Sequence, residues 1–236
     1  MRINQFIARA SGMSRRAADS AVTELLRVEL RWLAAELGEV RNIDVLIPRL
    51  DGGARDRLIA ARERTFQHVR AELASSRTRM LMIDLAEWLE TGAWRPDSTE
   101  GSPLCETVIS FASDLLDARR DRLERRGKGL AGFGDNRRHK VRIEAKKLRY
   151  ATEFFASLYA TGKARRRHKS FLKSLEALQD VLGELHDLVI GPAVLVEHGI
   201  DAGLPRHGGH KRRLLERAER KFEALIRAKP FWRTKD

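Results

Sequence analysis

Residues 136–155 read NRRHKVRIEAKKLRYATEFF. At 100° per residue, Val141, Ala145, Leu148, Thr152 and Phe155 fall within an arc of about 80°, the width of a helix face that packs on a core. Arg138, Arg142, Lys146 and Arg149 take a second arc of about 80° directly beside it, with His139 at its margin. Arg137, Lys140 and Lys147 point elsewhere, toward water. Cations stacked at i, i+4, i+8 and i+11 repel one another, by roughly a few tenths of a kcal/mol per pair in an isolated helix. Only Glu144 and Glu153 lie near enough along the helix to offset this. A solvated charged face is the ordinary explanation of such a row. Here the row borders the core stripe, so its side chains line a groove between helices.

The same three- and four-residue spacing recurs through nearly all of the 236 residues, and no stretch holds an alternating strand pattern. The chain is therefore all-α. Leu26, Leu30, Leu33 and Leu37 form one stripe, closed by Gly38 as a C-cap. Leu58–Leu73 and Met80–Leu89 are further amphipathic helices. Thr91–Pro103, with two glycines and two prolines, is a loop. Val108–Arg126 is helical and Gly127–Gly134 is a glycine-rich turn. Helices follow over Asn136–Leu158, Arg165–Leu182 and Lys211–Ala228, with a shorter one from Glu184 to about Glu197. Short connections favour antiparallel packing.

Charge is concentrated in the second half. Lysine and arginine number 46 against 33 acids, a formal charge of +13. Between Arg119 and Arg149 alone, 13 cations face four acids, and Arg165, Lys169 and Lys173 add a second basic row beside the Leu172, Leu175, Leu178 and Leu182 stripe. Two such rows facing one another make a trough for a long anion. An excess of this size on a folded chain points to a polyanionic partner. The single cysteine, Cys105, rules out an intramolecular disulfide framework and suits a reducing cytoplasm. No apolar run is long enough to span a membrane, and the N-terminal residues lack the apolar stretch of a signal peptide.

An internal echo divides the chain. LRWLAAELGEVRNID from Leu30 aligns with LEALQDVLGELHDLV from Leu175, sharing L-x-x-L-x-x-x-L-G-E, with Arg41-Asn42 opposite His186-Asp187. Two related helical halves follow.

These segments, with the closing AKPFW, resemble the CHAD family of histidine-containing α-helical domains over roughly residues 24–233. The run His-x-x-Arg-x-x-x-Lys-Lys-Leu-Arg-Tyr from His139 carries most of the likeness. The resemblance implies two pseudo-symmetric antiparallel helical bundles around a basic cavity, and non-catalytic binding of inorganic polyphosphate in the cytoplasm at polyphosphate granules. Its binding residues would be Arg138, His139, Arg142, Lys146, Lys147 and Arg149. Arg31, Arg41, Arg77, Arg79, Arg119, Lys169 and Lys173 are candidates on equivalent faces. This sequence departs from the pattern in two places: no first copy of the His-x-x-Arg helix precedes Leu30, and Asn42 stands where the pattern has aspartate. The first half then lacks its first helix, which admits dimerisation or domain swapping. In its place, residues 1–22 resemble the start of the RNA-binding module of pseudouridine synthases, without its continuation, and Arg15 and Arg16 could touch phosphate. The divisions are 1–22, 23–98 for the first helical half and 99–236 for the second.

Two competing functions have sequence support. Nucleic-acid binding draws on the net charge, but aromatic content is 6% and no aromatic is interleaved in the basic rows to stack on bases. A metal-dependent phosphohydrolase draws on His186-Asp187, yet His139, His168 and His198 show no spacing that completes a metal site. The pair His207 and His210 is too sparse for a metal, and Gly127–Gly134 lacks the lysine-serine signature of a phosphate loop. Trp32, Trp88, Trp94 and Trp232 suit packing. The expected ligand is polyphosphate, with no cofactor and no metal. His139 gains charge as pH falls below about 6.5, so mild acid strengthens binding.

Overall fold

The computed structural model describes residues 21–91, 108–160, 162–201 and 208–233. The N-terminal segment with Arg15 and Arg16, Trp94, Cys105, His207 and all but the first residue of the Thr91–Pro103 loop lie outside the described residues. Those described form seven α-helices: α1 (Ala21–Asp44), α2 (Gly52–Ala74), α3 (Ser76–Thr91), α4 (Val108–Gly127), α5 (Asp135–Phe154), α6 (Gly162–Glu197) and α7 (Gly208–Arg227). Short 3-10 turns occupy Ile47–Arg49, Leu130–Gly132, Ala156–Tyr159 and Phe231–Arg233, and no described residue is in a strand. The fold is all-α, as the periodicity requires.

The chain divides into two compact units, Met1–Leu104 with Ile190–Arg206, and Cys105–Val189 with His207–Asp236. Nothing in the composition marks Ile190–Arg206 as belonging with the first unit. The reason is packing: Val194, Leu195 and Ile200 are buried with Ile43, Leu46, Leu50 and Leu58. The end of α6 shows how that segment is fixed. Gly199 adopts φ 66°, and the amides of Gly199 and Ile200 donate to the carbonyls of Val196 and Leu195 at 3.0 and 2.9 Å. This is the double hydrogen bond that closes a helix on a left-handed glycine, with Leu195 and Ile200 in the same apolar cluster. A second cluster in this unit joins Leu26, Leu30 and Leu33 of α1 to Leu81 of α3.

The second unit has the larger core. Every residue of the expected α5 stripe is buried: Val141, Ala145, Leu148, Thr152 and Phe155. Val141, Ala145, Leu148 and Phe155 pack with Leu116 and Leu123 of α4, with Phe171, Leu175, Leu178 and Leu182 of α6, and with Leu214, Ala218 and Phe222 of α7. A Cβ placed on Gly127 would lie 2.2 Å from the Phe222 ring, so only glycine lets α4 and α7 meet there. Phe231 and Trp232 close one end, and the Trp232 indole N–H donates to Asp117 at 2.7 Å.

Four sequence expectations are corrected. Gly38 does not end α1, which runs on to Asp44, and Gly183 does not divide α6. Glycine within a helix costs about 1 kcal/mol relative to alanine. At Gly183 that penalty is outweighed by burial of Val181, Leu182 and Leu185 on either side. Leu37 is 38% exposed and does not join the Leu26–Leu33 stripe. The helix over Asn136–Leu158 ends instead at Phe154 and finishes as a 3-10 turn over Ala156–Tyr159.

Candidate functional site

The basic helix α5 enters behind Gly134, with Asp135 in its first turn, where a carboxylate favours the helix dipole. Its two flanks are built differently. On the flank facing α6, Arg138 and Arg142 are buried and Lys146 and Arg149 half-buried. Arg138 donates to Asp135, and Lys211 of α7 reaches the same carboxylate at 3.3 Å. Burial acts to raise the Asp135 pKa, but those hydrogen bonds and charges hold the carboxyl below its usual range. Further along, the Arg149 Nε donates to Glu153 at 2.8 Å, and its guanidinium lies 3.6 Å from Glu176 and 3.4 Å from the Gln179 oxygen. Gln179 in turn donates to the Ala145 carbonyl at 2.9 Å, which ties α6 to α5. Burial opposes charge on Arg149, and the Glu153 hydrogen bond overcomes it, so its pKa is raised.

His139 closes this flank. Its ring lies 4.8 Å from that of His186 on α6, at an interplanar angle of 34°. Both rings line a cavity of about 340 Å³, with Asp135 and Arg138 at one side and Leu182, Leu185 and Val189 as its apolar wall. Burial, followed by the charges of Arg142 and Lys146, pushes the His139 pKa below its ordinary value. Burial, Arg142 and His139 push His186 down to about 4, with Asp187 acting in the opposite direction. The expectation that His139 charges as pH falls below about 6.5 is therefore corrected: burial, with the charges of Arg142 and Lys146, delays its protonation to lower pH.

The flank facing α4 carries a different arrangement. Glu144 is 2% exposed and accepts from Arg126 at 2.9 Å, with the Lys147 ammonium 4.0 Å away. Its second oxygen accepts no hydrogen bond among the described residues. Burial pushes the Lys147 pKa down, Glu144 opposes this, and the charges of Arg119, Arg122 and Arg126 add to the depression. Burial likewise lowers the Arg119 pKa, against the attraction of Glu144. Lys147 thus does not point to open water, as its place on the helix suggested. Arg137 is exposed, as expected, and its guanidinium stacks 3.7 Å from the Phe133 ring centroid. Lys140 is exposed, as expected.

Lys169 and Lys173 are exposed on α6, whose residues nearest Arg149 are Glu176 and Gln179. Acidic and amide groups, not a second basic row, meet the α5 row there. The remaining candidates belong to the first unit. Arg31, Arg41 and Arg79 are exposed. Arg77 is held by both oxygens of Glu29, at 2.7 and 3.0 Å, and stacks 3.8 Å from the Trp32 ring centroid. His186 is the residue that reading the sequence left out of the binding set. It lies 47 positions from His139, and only the antiparallel register of α5 and α6 joins them. Among the described residues, no three histidines, cysteines or carboxylates converge as a metal set. No helix among them is long and apolar enough to cross a membrane.

An all-helical chain whose basic helix is packed into a core beside paired histidines defines a class of small basic helical domains. A scan against family models matches the CHAD domain over residues 10–196, and the chain belongs to that family. The match begins within residues 1–22 and does not show the second resemblance, to an RNA-binding module. Among solved structures, the crystal structure of the CHAD domain from the plant Ricinus communis is similar at 24% identity and a TM-score of 0.63. The alignment covers 97% of this chain and 74% of that one, and at this identity the likeness bears on the fold. No curated protein matches the sequence.

Proposed function

We propose that the chain binds inorganic polyphosphate, without turning it over, through the α5 flank formed by Arg138, His139, Arg142, Lys146 and Arg149. The observation that carries this reading is the burial of Arg138 and Arg142 beside half-buried Lys146, in a unit where cations outnumber acids along α4 and α5. Closely spaced cations on one helix flank set up a positive field that attracts a polyanion. A chain of phosphates meets that field with negative charge in regular sequence. Arginine offers it paired N–H donors, and lysine a mobile point charge. Release of condensed counterions drives such binding, so affinity falls steeply as salt rises. Membership of the CHAD family is consistent with this ligand class. A place in the cytoplasm at polyphosphate granules belongs to the same proposal.

Nucleic acid is the competing polyanion, and competition decides between them. Labelled single-stranded RNA is pre-bound to the protein and titrated with long-chain polyphosphate at equal phosphate concentration. Polyphosphate displaces the RNA and binds more tightly if the proposal holds. RNA that stays bound, or binds more tightly per phosphate, overturns it. Release of orthophosphate from polyphosphate with added divalent metal, abolished by His186→Ala, would overturn the non-catalytic part.

A further inference from the structure

We propose that His139 and His186 form a proton-coupled anion subsite, which takes up protons as polyphosphate binds and so ties affinity to pH. The inference rests on the polyphosphate reading and extends it to His186, a residue outside the matched binding run. The two rings are 4.8 Å apart in one cavity with Arg138. The His139 Nδ1 is buried with no hydrogen-bond partner among the described residues. The groups facing the pair are Arg138, Arg142, Lys146 and Asp135 from α5, Asp187 from α6 and, through Asp135, Lys211 from α7. Burial, together with the excess of cations over acids around both rings, disfavours protonation of the imidazoles before an anion binds.

A bound phosphate chain reverses that field. It screens Arg142 and Lys146 and gives each ring an oxygen to which a protonated nitrogen can donate. The bound-state pKa of each histidine then rises above its free-state value. For His186 the free-state value is about 4. Between the two values binding consumes protons, so affinity rises as pH falls through that window. Above the bound-state pKa the coupling vanishes. Each proton taken up steepens the dependence by as much as about tenfold in affinity per pH unit.

Calorimetry of the full chain with long-chain polyphosphate tests this in buffers of different ionisation heat, at pH 5.5 and 7.5. Long chains are used because their end groups, which titrate near neutrality, are few. Net proton uptake at pH 5.5, absent at pH 7.5 and abolished in His139→Asn/His186→Asn, is the expected result. Equal uptake in wild type and variant, or none in wild type, overturns the inference while leaving polyphosphate binding intact. Absence of binding at both pH values overturns the functional reading beneath it. Should the double variant fail to fold, imidazole NMR titration of the wild type decides: the midpoints must move up on adding polyphosphate, and unmoved midpoints overturn the inference.

Discussion

The two flanks of α5 carry cations of the same kind and treat them in opposite ways. Toward α4, Arg126 and Lys147 gather around Glu144, a carboxylate that is almost wholly buried. Toward α6, Asp135 holds Arg138, and Glu153 and Glu176 hold Arg149. Between those two arginines lie Arg142, Lys146 and the histidine pair, with Asp187 of α6 acting on His186. The difference teaches how a helix this basic packs its cations in two ways. One flank spends its cations on an internal carboxylate that joins two helices. The other sets buried and half-buried cations beside the histidine pair and its cavity of about 340 Å³.

The comparison breaks most severely if its central pair is reversed. Arg142→Glu with Lys146→Glu should lower polyphosphate affinity by at least about 100-fold, equivalent to about 2.7 kcal/mol. Circular dichroism should show unchanged helix content. A double variant that is folded and binds normally would place the ligand elsewhere.

The α4 flank should respond in stability and not in affinity. Glu144→Gln removes the buried counter-charge of Arg126 and Lys147 and should lower unfolding free energy by about 2 kcal/mol, read from denaturant midpoints. Polyphosphate affinity of the folded variant should stay within about threefold of wild type. A tenfold change in affinity at full stability would mean that Glu144 shapes the binding face.

A smaller effect separates the flanks by pH. Because the folded-state pKa of His186 is depressed, the unfolded chain binds a proton more readily than the native one. Stability is therefore fully present above the unfolded value near 6.5 and declines as pH falls toward the folded value of about 4. His186→Asn should recover about 1 kcal/mol of that decline between pH 6.5 and 4.5, after allowance for solvent screening. Thermal denaturation at both pH values measures it, and parallel declines in both proteins would remove His186 as the cause.

Much of this was legible in the sequence, because helices announce themselves through periodicity. The α5 stripe of Val141, Ala145, Leu148, Thr152 and Phe155 is buried as the 100° rotation requires. The basic row beside it follows from the same rotation. Rotation cannot identify the neighbour that covers each flank: it points Lys147 to water, whereas Glu144 and the α4 arginines Arg119, Arg122 and Arg126 surround it. Glycine is equally ambiguous within a helical pattern. Gly38 and Gly183 carry no positive φ; buried Leu33 and Ile43 lie on either side of the first, and Val181, Leu182 and Leu185 flank the second. The pairing of His139 with His186 depends on inter-helix register, which no local pattern encodes.

The finest test sets Lys146 against its neighbour Lys147, adjacent in sequence and turned to different flanks. Neutralising Lys146 removes a charge from the central row, and Lys146→Gln should reduce affinity about tenfold and the salt slope by about one. Lys147 already has Glu144 for a partner, with Arg119, Arg122 and Arg126 crowding it. Lys147→Gln therefore withdraws a cation whose charge is partly compensated inside the protein. It also relieves repulsion among the arginines that remain. Its affinity loss should be about threefold, with a salt slope that changes by less than half of the Lys146→Gln effect. Polyphosphate titrations of both variants across a salt series give the two slopes directly. Equal losses would mean that the polyanion spans the helix and engages both flanks, and the carboxylate beneath Lys147 would then be tuning a binding face instead of anchoring a fold.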